Sequence, residues 1–176
     1  QHIVDEFELA HDPGAVWNYS TAGFHLIARA LQEVTGAEDE AGFARTMDEM
    51  LFEPIGMEAV PEFDAAGTFL GGSLVWASAR DFAKFGYLYL RGGVWQGERL
   101  LPEGWVDFSR RDPASTKANV YGAGWWLGAD PDPVPEGQAA TTPPFDAFSA
   151  QGHEGQTIWV VPSKDLVIVR LGIMPN

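Results

Sequence analysis

Residues 156–172, QTIWVVPSKDLVIVRLG, set two apolar, β-branched runs on either side of Pro162-Ser163-Lys164-Asp165. Runs of that length and composition, divided by a turn tetrapeptide, predict two strands of an antiparallel hairpin. In the first strand Thr157, Trp159 and Val161 point one way, and Ile158 and Val160 the other. Both sets are largely apolar, so the hairpin is expected to sit in a sheet covered on both faces. The covering layers have to come from the preceding residues, which change period from about 3.6 to 2 along the chain. Helices first and an antiparallel sheet last predict an α+β fold.

Residues 1–17 are polar and mixed, with Asp12-Pro13-Gly14 reading as a turn. A first helix is predicted from Ser20 as N-cap to Gly36 as C-terminal cap, with Phe24, Ile27, Ala28, Leu31 and Val34 on its apolar face. A second spans residues 42–52, with Phe43, Met47, Met50 and Leu51 on one face, and Pro54 stops it. A third follows Ser78, where Ser78 and Asp81 resemble a capping box, and presents Phe82, Phe85, Leu88 and Tyr89 before Gly92-Gly93 ends it. LLPEGWVDFSRR predicts a short helix with Pro102 near its first position, and VYGAGWWLG predicts a strand. Residues 129–148 form a long proline-rich loop. No internal repeat is visible.

Composition narrows the functional classes. With 176 residues, 45% hydrophobic and 12% aromatic, the chain can bury a core and is not compositionally disordered. The net charge of -14 would repel a phosphate backbone, which argues against nucleic acid as a partner and favours a soluble surface. No apolar run approaches the roughly 18 residues that a membrane-spanning helix needs. Without cysteine there is no disulfide, cysteine metal site or cysteine nucleophile. The chain opens on Gln1 rather than Met, and the native N-terminus is expected to lie further upstream.

Several familiar sites are absent. Gly71-Gly72-Ser73-Leu74-Val75 lacks the final glycine of a Gly-x-Ser-x-Gly elbow, and an α/β-hydrolase would need Ser73 on a strand-to-helix turn beside His153. His2, Glu6, His11 and His25 do not share the helix-face spacing of a zinc site, so no metal is expected. No phosphate-cradling Gly-x-x-x-x-Gly-Lys motif occurs. Two polar groups remain: Tyr19-Ser20-Thr21 at a helix start, and His153-Glu154-Gly155 between Gly152 and the hairpin. A tyrosine at a helix N-terminus stands where the dipole favours an anion. On composition alone, however, Tyr19 reads as a buried aromatic bonding through its hydroxyl, and His153 as a loop histidine at a hairpin edge.

Order along the chain adds more. PGAVWNYSTAGFHLIARALQEVTG, LFEPIGM, GGSLVWASARDFAKFGYLYLRGGVWQGERLLPEGWV, YGAGWWL and GHEGQTIWVVPSKDLVIV together resemble the β-lactamase-related serine hydrolases. That group includes class C β-lactamases, DD-peptidases, esterases and 6-aminohexanoate-dimer hydrolases. The resemblance implies a β-lactamase/transpeptidase-like fold in which residues 1–112 form a mainly helical region and residues 113–176 a sheet region. It implies an acyl-enzyme mechanism on a small ester or amide, with no cofactor. Tyr19 would be the general base and acid. His153 would polarise the hydroxyl network or orient substrate. Substrate and oxyanion contacts would fall to Thr21, Glu154, Gly155 and Gln156, with the Gln156 N–H as one half of the oxyanion hole.

This sequence departs from the family pattern in three places. Thr21 stands where the family usually has Asn, and His153 where it often has Lys; both changes favour an esterase or amidase over a β-lactamase. No serine has a lysine three positions on. The nucleophile motif Ser-x-x-Lys is therefore expected upstream of Gln1, making the chain the C-terminal part of a larger fold, inactive alone. Its sheet would be completed by that N-terminal piece or by a second copy. A non-catalytic binding or regulatory module on the same fold is the other reading. Of Trp125, Trp126 and Trp159, most are expected in the core, one of the adjacent pair facing each way, with one possible cleft wall. The loop 129–148, just ahead of His153, is expected to act as a lid.

Overall fold

Helix α1, Thr21–Thr35, starts and stops where the sequence places it. The computed structural model describes residues 8–111, 121–128 and 146–172. Ser20 holds the extended N-cap conformation, though its hydroxyl caps nothing, and Gly36 is left-handed at φ 69°. That turn lets Ala37 N–H reach the Gln32 carbonyl at 3.1 Å. The buried stripe differs from the expected one: Ala28 and Gln32 are covered, whereas Ile27, Leu31 and Val34 face outward, Val34 at 85% exposure. Small residues decide this seating. A Cβ on Gly71 would lie 2.8 Å from Ala28 Cβ, so only glycine lets the Gly71 loop lie flat on the helix. Gln32 is satisfied across the gap, donating to the Gly67 carbonyl at 2.9 Å and accepting from Phe69 N–H at 3.1 Å.

Helix α2, Glu40–Met47, begins at Asp39, whose carboxylate accepts Gly42 N–H at 2.7 Å. A π-turn, Asp48–Phe52, then widens the helix by one residue, closing with Glu53 N–H on the Asp48 carbonyl. The extra residue rotates the downstream chain by about 100°. Phe52 turns inward and Met50 outward, contrary to the regular 3.6 spacing that put Met50 on the core face. Phe52, Ile55, Met57 and Leu88 form one core cluster.

Two small ribbons punctuate this helical stretch: β1, Ala59–Pro61, with β2, Val75–Ala77, and β3, Val94–Trp95, with β4, Glu98–Arg99. Between the ribbons lies α3, Ala79–Leu90. Ser78 accepts Asp81 N–H at 3.2 Å and donates to the Asp81 carboxylate at 2.5 Å, and Lys84 adds a contact at 2.8 Å. The acidic group thus returns to the cap hydroxyl. Helix α4, Trp105–Ser109, starts at left-handed Gly104. Pro102 lies before the helix and accepts Trp105 N–H at 3.0 Å, instead of occupying its first turn.

The main sheet runs β5-β6-β7-β8, all antiparallel, with β5 at Trp126–Leu127, β6 at Phe148–Gln151, β7 at Thr157–Val161 and β8 at Leu166–Arg170. The β7–β8 hairpin closes as expected, with Asp165 left-handed at φ 50° after a 3₁₀ turn. The strand expected in VYGAGWWLG shrinks to two residues. Gly124 at φ 84° reverses the chain, and Tyr121 bridges back to Trp126. Helix α3 packs on one sheet face through Gly86, where a Cβ would meet Val167 at 2.7 Å and Ile158 at 2.9 Å. Val160 at the centre is fully buried. The opposite face is covered only in part: Ser149 and Val161 are buried there, whereas Leu166 and Ile168 are exposed, so among the described residues the second face is not closed as the first is. No described helix is long and apolar enough to cross a membrane.

Candidate active site

Tyr19 sits immediately before the α1 N-cap, and its side chain is 45% exposed, not the buried aromatic that composition favours. Three rings hold it. Trp126 lies at 5.5 Å between centroids, tilted by 30°; Tyr121 stands nearly perpendicular at 5.6 Å; Phe24 lies at 6.2 Å. Trp125, by contrast, is buried against Phe85, Tyr89 and Phe148 in the core between α3 and the sheet. The adjacent tryptophans therefore point to opposite sides, and Trp126 is the one that walls the tyrosine.

Tyr121 is not marked by anything local in the sequence. It is only 7% exposed and touches Trp17, Tyr19 and Trp126. Burial, and after it the neighbouring Tyr19, push its phenol up to about 12. Two phenols in van der Waals contact thus differ sharply in surroundings: one is enclosed and held neutral, the other reaches solvent.

Thr21 opens α1 with its methyl against the glycine loop. A Cβ on Gly72 would lie 2.6 Å from Thr21 Cγ2, so the bare glycine makes room for that methyl. Ser73 and left-handed Leu74, φ 62°, come later in the same loop, ahead of strand β2. Ser73 therefore lies between two strands, not on the strand-to-helix elbow that an α/β-hydrolase requires.

His153, Glu154 and Gly155 form a 3₁₀ turn between β6 and β7. Glu154 at φ 57° and Gly155 at φ 77° are both left-handed, and for glutamate that conformation is uncommon. Arg170 pins the turn by donating to the Gly155 carbonyl at 2.7 Å. The His153 side chain is 91% exposed, with its Nε2 3.7 Å from Glu154. The Gln156 N–H points at the His153 carbonyl at 3.4 Å, the long limit of a hydrogen bond. Strand pairing relates this turn to the aromatic wall: Trp126 is opposite Ser149 on β6, which continues to Gln151 and then the turn. Ser149 is fully buried and accepts from Gln151 at 3.1 Å. No hydrogen bond among the described residues joins Tyr19 to His153.

At the base of the sheet Asp146 receives Ser163 N–H at 2.5 Å and Ser163 Oγ at 2.8 Å. Burial works to raise its carboxyl, but the Ser163 bonds prevail and it lies below the usual range. The expected lid at residues 129–148 falls outside the described residues except for its last part, which this anchor fixes. Among the described residues no three His, Asp or Glu side chains gather as a metal site.

Comparison with known proteins bears on the same elements. The family model described as Beta-lactamase matches residues 3–172. The chain is 25% identical over 173 residues to a 6-aminohexanoate-dimer hydrolase of Paenarthrobacter ureafaciens, covering 91% of this chain and 40% of that protein. A Bacillus anthracis structure described as a "putative 6-aminohexanoate-dimer hydrolase" superposes with a TM-score of 0.70 at 24% identity, covering 92% of this chain and 39% of that one. A beta-lactamase from Mycobacterium bovis gives 0.60 at 22% identity, covering 92% and 58%. The chain thus spans between 39% and 58% of the length of these proteins. Tyr19 ahead of its helix, the left-handed turn before the hairpin and the α3-covered sheet lie along one continuous match, and the chain belongs to the Beta-lactamase family.

Proposed function

We propose that this chain forms two walls of an acyl-transfer site in a serine hydrolase that cleaves an ester or amide. The nucleophile, Ser-x-x-Lys, comes from residues upstream of Gln1. The observation that carries this reading is the Tyr19 phenol: half-exposed at a helix N-terminus, backed by Trp126 and Tyr121, in a chain of the Beta-lactamase family.

Chemically, Tyr19 acts as its phenolate, accepting the serine hydroxyl proton to become the phenol as the oxygen attacks the substrate carbonyl. As the tetrahedral intermediate collapses, the same proton passes to the leaving oxygen or nitrogen, and the acyl group stays on serine. Water then repeats the sequence, giving up its proton to Tyr19 and releasing the acid. The Gln156 N–H, so loosely held in its own turn, is available to a developing oxyanion. His153 and Glu154 lie at the rim, where they orient substrate, and Thr21 contributes a small hydroxyl where a β-lactamase relative carries an amide.

The test is a chromogenic short-chain ester against nitrocefin, with the full-length protein. Ester cleavage is expected to exceed lactam cleavage; a clear preference for nitrocefin would overturn the esterase or amidase assignment. One observation favours the non-catalytic alternative: the His153 side chain is almost fully solvated, with Glu154 at 3.7 Å as its one carboxylate neighbour among the described residues. Reading the coding sequence upstream separates the two, because loss of Ser-x-x-Lys there leaves only a binding or regulatory module.

A further inference from the structure

Tyr19 precedes its helix and forms no hydrogen bond among the described residues, so its ring orientation is set by packing. Of the rings around it, Tyr121 is the most enclosed, and it meets both Tyr19 and Trp126 nearly at right angles, at 83° and 82°. Edge-to-face contacts of that kind resist rotation of either ring, because the positive edge of one meets the negative face of the other.

Tyr121 is itself clamped to the backbone. It bridges to Trp126, Gly122 N–H closes the turn on the Trp125 carbonyl at 2.8 Å, and Ala123 N–H ties it to α4 through the Ser109 carbonyl at 2.9 Å. A Cβ on Gly122 would lie 2.0 Å from that same Ser109 oxygen, so no side chain fits there. Ser109 is fully buried and its hydroxyl donates to the Trp105 carbonyl at 2.8 Å. A continuous rigid path therefore leads from α4 through Gly122 to Tyr121, ending on the Tyr19 ring.

We propose that Tyr121 is a positioning residue, holding Tyr19 edge-to-face in the one ring orientation from which it exchanges protons with the nucleophile and the leaving group. The inference rests on the reading of Tyr19 as the proton-exchanging group. The enclosed Tyr121 phenol stays protonated throughout the ordinary pH range, so Tyr121 does not compete for that proton. The ring, not the hydroxyl, does the positioning.

The experiment uses the full-length protein, a chromogenic short-chain ester and single-turnover kinetics, with the burst amplitude counting competent sites. Tyr121→Phe keeps the ring and is expected to acylate within about threefold of the parent. Tyr121→Met fills the volume without a rigid ring and is expected to lower the acylation rate roughly 10- to 100-fold, with KM nearly unchanged. In a Tyr19→Phe background the Met substitution should have almost no further effect, because a residue acting through Tyr19 has nothing left to position. Met equal to the parent, Phe as impaired as Met, or an undiminished Met effect without the Tyr19 hydroxyl would each overturn the inference. If Tyr19→Phe itself acylates normally, the reading of Tyr19 falls and the positioning role with it. If Tyr19→Phe is impaired while Tyr121→Met is normal, only the positioning role falls. Should the Met variant fail to fold, a tenfold loss in Tyr121→Phe still overturns it.

Discussion

Tyr19 and Tyr121 show how two residues of one type acquire different work from their surroundings. Enclosure keeps Tyr121 a neutral phenol, whereas Tyr19 reaches solvent beside it. Because the folded value of Tyr121 lies above the ordinary phenol value near 10, its protonation stabilises the fold below that pH, and this contribution is lost as pH rises towards 12. An alkaline titration followed by tyrosinate absorbance should show one late step near 12, absent in Tyr121→Phe; a titration unchanged by that substitution would refute the assignment. The sequence foreshadowed part of this arrangement. Adjacent Trp125 and Trp126 had to face opposite ways in a strand, but which one met Tyr19 depended on pairing with β6, and β6 itself carried no clear local signal. Tyr121 was invisible for a related reason: its role comes from a glycine turn folded back on α4, a contact across sequence that no spacing rule encodes.

At the scale of elements, caps and close approaches decide the architecture. Gly36, Gly92-Gly93 and the Pro162–Asp165 turn were legible because glycine and proline mark backbone directly. The π-turn was not, and it turned Met50 away from the expected core face while bringing Phe52 into the core. The α3 start offers a pH test. Hydrogen bonds from Lys84, then Ser78 and the Glu58 backbone, hold the Asp81 carboxyl at about 2, below its usual range. A depressed carboxyl stabilises the fold above its unfolded value and loses that contribution as pH falls through about 2. Acid unfolding should therefore show an Asp81-dependent loss beginning below about pH 4, and Asp81→Asn should flatten it. An identical acid profile in the variant would count against the cap. Gly86 tests the helix-to-sheet contact. Gly86→Ala gains helix propensity but drives a methyl into Val167 and Ile158, so a net destabilisation of about 1–3 kcal/mol is expected in denaturant unfolding. A more stable variant would mean that the layers part easily there.

The molecule as a whole leaves apolar surface where a larger fold would cover it. Ile27, Leu31 and Val34 on α1, and Leu166 and Ile168 on β8, all face outward, and among the described residues β8 pairs on one side only. Open strand edges and apolar faces of this kind invite a partner. The expectation that both sheet faces would be covered came from the apolar alternation of the hairpin, and the half-exposed second face fits a chain that spans 40% of one relative and 39% of another. Residues upstream of Gln1, carrying Ser-x-x-Lys, are the proposed cover. This chain produced alone should not cleave the ester, and adding the upstream segment as a separate polypeptide should restore turnover; activity of the chain by itself would contradict the placement of the nucleophile. The most direct measurement remains the single-turnover acylation of the full-length protein with Tyr19 replaced by Phe. A fall of roughly 100-fold or more, with substrate binding retained, is expected if Tyr19 exchanges the proton. Acylation at the parent rate would contradict the acyl-transfer role of the aromatic-walled tyrosine.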